Sequence, residues 1–178
     1  EINIGKRLSF NDVFDFVKSE ELDGAIFFGN SDIYFNSTIH NLPDNISEKP
    51  IMYCQLRAEH KKDGKISIDT KSSLYKLGHS QDVWIYHSKF NDTLLNTTDF
   101  NFGILSCDNC FNHIAYTQGF VLINNPFLIH CIHLHNVNHR IWKINDVPRL
   151  TLPHTNVYPI PANKKYSTNI SRLTHYND

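Results

Sequence analysis

The amino-acid sequence predicts an α/β domain: a mixed, mostly parallel sheet flanked by helices. Three observations carry this expectation. Residues 24–28, Gly-Ala-Ile-Phe-Phe, form a short apolar run closed by Gly24 and Gly29, the pattern of a strand buried on both faces. Ahead of it Phe10, Val13, Phe14 and Val17 recur at helical spacing, and the alternating stretch at 1–4 reads as a strand. Strand, helix and strand in about 28 residues make a βαβ unit. Later, Phe111, Ile114 and Ala115 give 107–118 a helical spacing, with a second apolar run at 120–123 behind it.

The elements follow in order. After a loop at 5–8, Ser9 stands as an N-cap with Asp12 three residues on, a variant capping box. That helix should end within 20–23. Residues 38–42 read as a short helix, 51–56 as a strand, and 60–71 as a polar segment with a Lys-Lys-Asp-Gly turn. A strand is expected at 82–86 and a polar loop at 92–99. Gly119 is suited to follow the helix 107–118 as its C′ residue. Segments 120–123 and 128–135 read as a strand pair across the Asn-Asn-Pro turn at 124–126. From 147 onward Pro148, Pro153, Pro159 and Pro161 exclude most regular structure. The expected organisation is one domain over 1–150 with an extended tail, 151–178, packed on it. There is no internal repeat.

Bulk properties exclude some functions. The chain has 178 residues, enough for a single core, and 40% apolar and 12% aromatic content mark it as globular. A net charge of −1 provides no basic field to hold nucleic acid. No apolar run approaches the ~18–20 residues of a membrane span. Four cysteines are too few for a disulfide frame, which points to a reducing compartment. Five Asn-x-Ser/Thr sequons, among many asparagines, do not imply secretion. The chain opens on Glu1 and reads as a piece of something longer.

Four constellations can carry chemistry. In α/β sheets ligands bind beyond the carboxyl ends of the strands, so the turn Gly29-Asn-Ser-Asp32 is the first. Asp32 there suits a hard cation such as Mg²⁺ or Mn²⁺, and would equally suit a helix cap. The second is Cys107-Asp108-Asn109, where Asp108 can serve as a general base or as a first-turn acid favoured by the helix dipole. The third is the histidine group His130, His133, His135 and His139; His133 and His135 would share one face of a strand. The fourth, Cys107-x-x-Cys110 with His113 and Cys131, is a weak zinc pattern that lacks a second Cys-x-x-Cys. Tyr34, Trp84 and Tyr86 could stack on a sugar, although strand aromatics usually belong to a core.

The order of these pieces resembles a known family. The run from Gly5 to Phe14, then Gly24-Ala-Ile-Phe-Phe-Gly-Asn-Ser-Asp-Ile-Tyr-Phe35, resembles the nucleotide-sugar half of GT-A glycosyltransferases. Ser80-Gln-Asp-Val-Trp-Ile85, Phe102-Gly-Ile-Leu-Ser-Cys-Asp-Asn109, Gly119-Phe-Val-Leu-Ile-Asn-Asn-Pro126 and His133-Leu-His-Asn136 are similar to blocks of a bacterial and large-DNA-virus group that includes the chlorovirus capsid-glycosylating enzymes. The resemblance covers about residues 1–145. It implies a GT-A-like (Rossmann-like) fold without its usual first strand–helix unit. It also implies metal-assisted transfer of a sugar from a UDP-, GDP- or dTDP-sugar to a hydroxyl of a glycan or glycoprotein.

Carried over by position, the resemblance makes Asp108 the catalytic base of an inverting reaction. Asp32 becomes the acid of an Asp-x-Asp-like motif whose first position is Asn30, and His133 or His135 the histidine that completes an Mn²⁺ or Mg²⁺ site. Arg7 and Asn11 would lie near the nucleotide, Arg57 would contact the donor, and Asp82 would face donor sugar or acceptor. Ser106 stands where the group's block has Gly. The implied location is the cytoplasm, that of the host if the chain is viral. The alternatives are a non-catalytic nucleotide- or sugar-binding module on the same fold and a small zinc-stabilised interaction domain.

Overall fold

The computed structural model describes residues 5–61, 63–134 and 149–164. The strand expected at 1–4, and with it the first half of the βαβ unit, lies outside the described residues.

Helix α1 (Phe10–Ser19) begins as its sequence directs. The Ser9 hydroxyl accepts from the Asp12 N–H at 3.1 Å, and the Asp12 carboxylate accepts from the Ser9 N–H at 2.8 Å. This reciprocal cap contributes about 1 kcal/mol. Lys6 adds a hydrogen bond at 2.7 Å; with the Ser9 donors it holds the Asp12 carboxyl down at about 2. After α1 come β1 (Ala25–Gly29), β2 (Ile33–Phe35), β3 (Ile51–Gln55), β4 (Ala58–His60) and β5 (Ile66–Ser67). Then follow α2 (Ser73–Leu77), β6 (Val83–His87), α3 (Cys107–Thr117), β7 (Val121–Ile123) and β8 (Cys131–His133). Short 3-10 turns occupy Ser37–Asn41, Asp44–Ser47 and Ser88–Thr93.

The strands form two four-stranded mixed sheets, in the orders β1-β6-β3-β7 and β2-β8-β4-β5. This corrects the expected single, mostly parallel sheet flanked by helices. Only β3–β7 and β4–β8 are parallel; β1–β6, β3–β6, β2–β8 and β4–β5 are antiparallel. The segments 120–123 and 128–135 also do not pair with each other. β7 adds to β3 in the first sheet, whereas β8 lies between β2 and β4 in the second. Their seven-residue separation carries the chain from one sheet to the other instead of turning it back as a hairpin.

Alternation along β6 divides the core. Trp84 and Tyr86 join Phe10, Phe14, Phe28, Phe111 and Phe120 in a cluster that includes α1 and α3. The Phe10 and Phe111 rings stack with centroids 4.5 Å apart. Val83 and Ile85 belong instead to a second cluster with Ile51, Tyr53, Ile123, Ile129 and Cys131. Trp84 and Tyr86 are therefore core residues, not a sugar platform: each is 1% exposed or less. Their polar ends are satisfied inside, the indole N–H donating to Asn112 Oδ1 and the phenol donating to Asn91 Oδ1.

Residues 149–164 run as a strap over this core. Leu150 N–H donates to the Leu105 carbonyl, Thr155 N–H to Asn109, Val157 N–H to Gly78 and Ile160 N–H to Asn124, all at 2.8–3.1 Å. Val157 and Ile160 are buried. Gly78 caps α2 in the left-handed region (φ +59°), and a Cβ there would lie 2.9 Å from the backbone of Val157 and Tyr158. Only glycine both ends that helix and lets the strap cross it.

Candidate functional site

Chain direction places one edge of the first sheet at the centre of the site. β1, β3 and β7 end there, and β6, antiparallel to its neighbours, begins there. Phe10 packs on Phe28 and Trp84, so the start of α1 lies at the same edge. Gly29 makes this edge tight: a Cβ would overlap the Asp82 carbonyl oxygen and lie 2.9 Å from Val83 Cα.

The expected residues fall into three groups. Asn30 and Arg57 both bind Asp82. Asn30 Nδ2 donates to Asp82 Oδ1 at 3.0 Å, and Arg57 Nη1 donates to the same oxygen at 3.2 Å. Arg57 Nε donates to Glu59 at 2.7 Å. Burial opposes the Arg57 charge, but Asp82 and Glu59 overcome it and hold its pKa above the ordinary value. Asp82 is 3% exposed, and its Oδ2 is buried with no hydrogen-bond partner among the described residues. Burial raises its pKa, against the pull of Arg57 and Asn30. Asp82 is thus a buried anchor for Arg57 and Asn30.

The second group joins the two sheets. His133, at the end of β8, has Nε2 3.0 Å from Asp32 Oδ2 and Nδ1 3.2 Å from Glu59 Oε2. Glu59 is its register partner on β4. In the tautomer that donates Nδ1–H to Glu59, the Nε2 lone pair faces the Asp32 carboxylate. A histidine braced by a carboxylate on its far nitrogen is the usual arrangement of a metal ligand. Two ligands on adjacent corners of an octahedral ion at ~2.1 Å would stand ~3 Å apart. The Asp32–His133 pair therefore fits part of the shell of Mn²⁺ or Mg²⁺. Among the described residues no group of three or more His, Cys, Asp and Glu is arranged to hold a metal, so further ligands would have to come from elsewhere. His135 lies outside the described residues, as does His139. The four cysteines are buried free thiols.

Asp108 forms the third group. It sits in the first turn of α3, and its Oδ2 accepts from the Gln81 N–H at 3.2 Å. Burial pushes its carboxyl up to about 6, against the amides of Gln81, Asp108 and Asn109, which favour the ionised form; the nearby Asp82 charge adds to the rise. A half-buried acid tuned to this range suits proton transfer near neutral pH.

Two expected donor-binding residues stand apart from these contacts. Asn11 is occupied in tying α1 to the loop after the 3-10 turn Ser88–Thr93, its Oδ1 accepting from Thr98 N–H and Oγ1. Arg7 is exposed in the segment that leads into α1. Sequence reasoning missed Glu59, although its place two residues after Arg57 put the two on one strand face. It also missed Gln81 and Asn112, amides that resemble surface residues until the fold buries them.

Ser106 precedes α3 with φ +73°, a left-handed conformation that favours glycine. Ser106→Gly should therefore stabilise the protein by about 0.5–1 kcal/mol, net of an exposed hydrogen bond from Arg149. A chemical denaturation midpoint measures this.

No helix among the described residues is long and apolar enough to cross a membrane. No protein-family model, curated protein or solved structure matches this chain.

Proposed function

We propose that this chain is a GT-A-type glycosyltransferase domain that transfers a sugar from a nucleotide-sugar to an acceptor hydroxyl with inversion. The observation that supports it most is the convergence at one sheet edge. Asp32, Arg57, Asp82, Asp108 and His133 come from five separate segments: Arg57 donates to Asp82, the Asp108 carboxyl, at about 6, feels the Asp82 charge, and the Asp32–His133 pair shares Glu59 with Arg57.

In this reading the Asp108 carboxylate takes the proton of the acceptor hydroxyl. The oxygen attacks the anomeric carbon, and the bond from that carbon to the diphosphate breaks, the electron pair leaving with the nucleoside diphosphate. Attack opposite the leaving group inverts the centre. Asp32 and His133 would hold Mn²⁺ or Mg²⁺, which when bound supplies positive charge for the leaving diphosphate. Arg57, fixed by Asp82 and Glu59, adds a permanent positive charge. The acceptor would be a glycan or glycoprotein, and the place of action the cytoplasm.

The test is a panel of UDP-, GDP- and dTDP-sugars with Mn²⁺, read by thermal stability and by release of nucleoside diphosphate. One nucleotide class should raise stability by about 2–3 kcal/mol at ~100 times its Kd, and only with metal. Release should fall below about pH 6 as Asp108 takes up a proton. A stability rise without release would make the chain a binding module. No rise with any donor would sink the reading.

A further inference from the structure

α3 carries a buried asparagine four residues beyond Asp108, hence on the same helix face. Asn112 is 0% exposed in an otherwise apolar and aromatic cluster. Its Oδ1 accepts from the Trp84 indole N–H at 2.9 Å, and its Nδ2 donates to Gln81 Oε1 at 2.6 Å. Gln81 is 3% exposed, and its own Nε2 donates to the Gly78 carbonyl at 3.1 Å and the Val157 carbonyl at 3.5 Å. The side chain of Gln81 is thus gripped by a helix, a helix cap and the strap. Its main-chain N–H then donates to Asp108 Oδ2.

Two buried amides in an aromatic core are costly unless satisfied, and apolar residues of the same volume would pack there more cheaply. Here both are satisfied, and they join the two ends of one short lever: Asp108 at the top of the α3 turn, Asn112 one turn below, Gln81 spanning the gap. We propose that Asn112 is a positioning residue that acts through Gln81 to fix the Asp108 carboxylate, holding its Oδ2 on the Gln81 N–H in the orientation from which the group would receive a proton. The inference of a catalytic purpose rests on the glycosyltransferase reading; the mechanical coupling does not.

The coupling shows as a shift in the titration of Asp108. The groups that bear on that carboxyl are the Gln81 amide from the segment before β6, the first-turn amides of α3, and the Asp82 carboxylate. Of these, the lever controls the first. A bond to the ionised form holds the pKa down, so loosening Gln81 lets it rise by about half to one unit.

The experiment is a carboxyl-carbon NMR titration of Asp-labelled protein, with the Asp108 signal assigned by its loss in Asp108→Asn. Three variants are compared with the native chain: Asn112→Leu, Gln81→Leu, and Trp84→Phe, which removes the indole donor together with part of a buried ring. Unfolding midpoints are measured alongside. The expected result is an upward shift of the Asp108 midpoint in all three variants, smallest in Trp84→Phe, and no further shift when Asn112→Leu and Gln81→Leu are combined. If nucleoside diphosphate release is observed, its acid limb should move by the same amount, lowering the rate at pH 6 by about 2–5-fold. An unmoved Asp108 midpoint in folded variants would overturn the proposal. If the leucine variants do not fold, an unmoved midpoint in Trp84→Phe overturns it. Native protein that releases no nucleotide, with the titration shifts still present, would sink the glycosyltransferase reading and leave the lever standing.

Discussion

Replacing Asp108 with asparagine is expected to make the protein more stable at pH 7.5 and, on the glycosyltransferase proposal, to lower sugar transfer by about 10²–10⁴-fold. The folded carboxyl titrates at about 6, above its ordinary 3.8. Between those values the folded chain holds a proton that the unfolded chain has released. Stability therefore falls as the pH climbs from about 4 to about 6, and above that the full cost of keeping Asp108 ionised is present. Two pKa units correspond to roughly 3 kcal/mol as an upper bound, so asparagine, which still accepts from the Gln81 N–H, should recover about 1–3 kcal/mol. Melting curves from pH 3.5 to 8 check this. The native and variant proteins should coincide at the acid end and separate by several degrees above pH 6. Equal stability at every pH would mean that Asp108 is a solvated first-turn acid.

Arg57→Met should act in the opposite direction. It removes the cation while leaving Asp82, 3% exposed, with Asn30 as its side-chain partner. Breaking a buried pair from one side costs about 3–5 kcal/mol, mostly as the penalty of the stranded charge. The loss should shrink as the pH is lowered and Asp82 becomes neutral, because burial already raises its pKa and Arg57 is the main opposing influence. Adding Asp82→Leu to Arg57→Met should restore most of the stability. Urea denaturation of the two single variants and the double variant closes the cycle. Additive losses would show that the pair is not coupled. Arg57→Lys is expected to behave as a partial loss, since one ammonium does not reproduce the fork that reaches both Glu59 and Asp82.

These two residues also illustrate what the sequence discloses. Asp108, Asp32 and Arg57 stand out because each follows or precedes an apolar run, and charged residues at the ends of buried strands and helices are visible without a fold. The capping box of α1, the glycine-bounded β1 and the spacing of α3 are local signals and were legible for that reason. Strand direction was not. β1, β3 and β6 are largely apolar runs, so they carry no alternation to report which neighbour they meet or which way it runs. The second sheet was mostly hidden, because strands of two or three residues are too short for any period. Asn11 misled for the opposite reason: a polar residue on a helix start looks available for a ligand, and its bonds to Thr98 come from 87 residues away. Asn112 and Gln81 gave no warning, since an amide shows its purpose only when its partners are known.

The two sheets are threaded by the same strand exits. β1 leads into β2, β3 into β4 and β7 into β8, so the chain passes from the first sheet to the second three times. Asn30 and Asp32 ride on the first passage, Arg57 on the second, and His133 ends the third. Neither sheet can then open while the other stays closed without pulling the site apart. Amide protons of the two sheets should exchange with solvent through one shared opening event, and the short strands of the second sheet should be as slow as the long strands of the first.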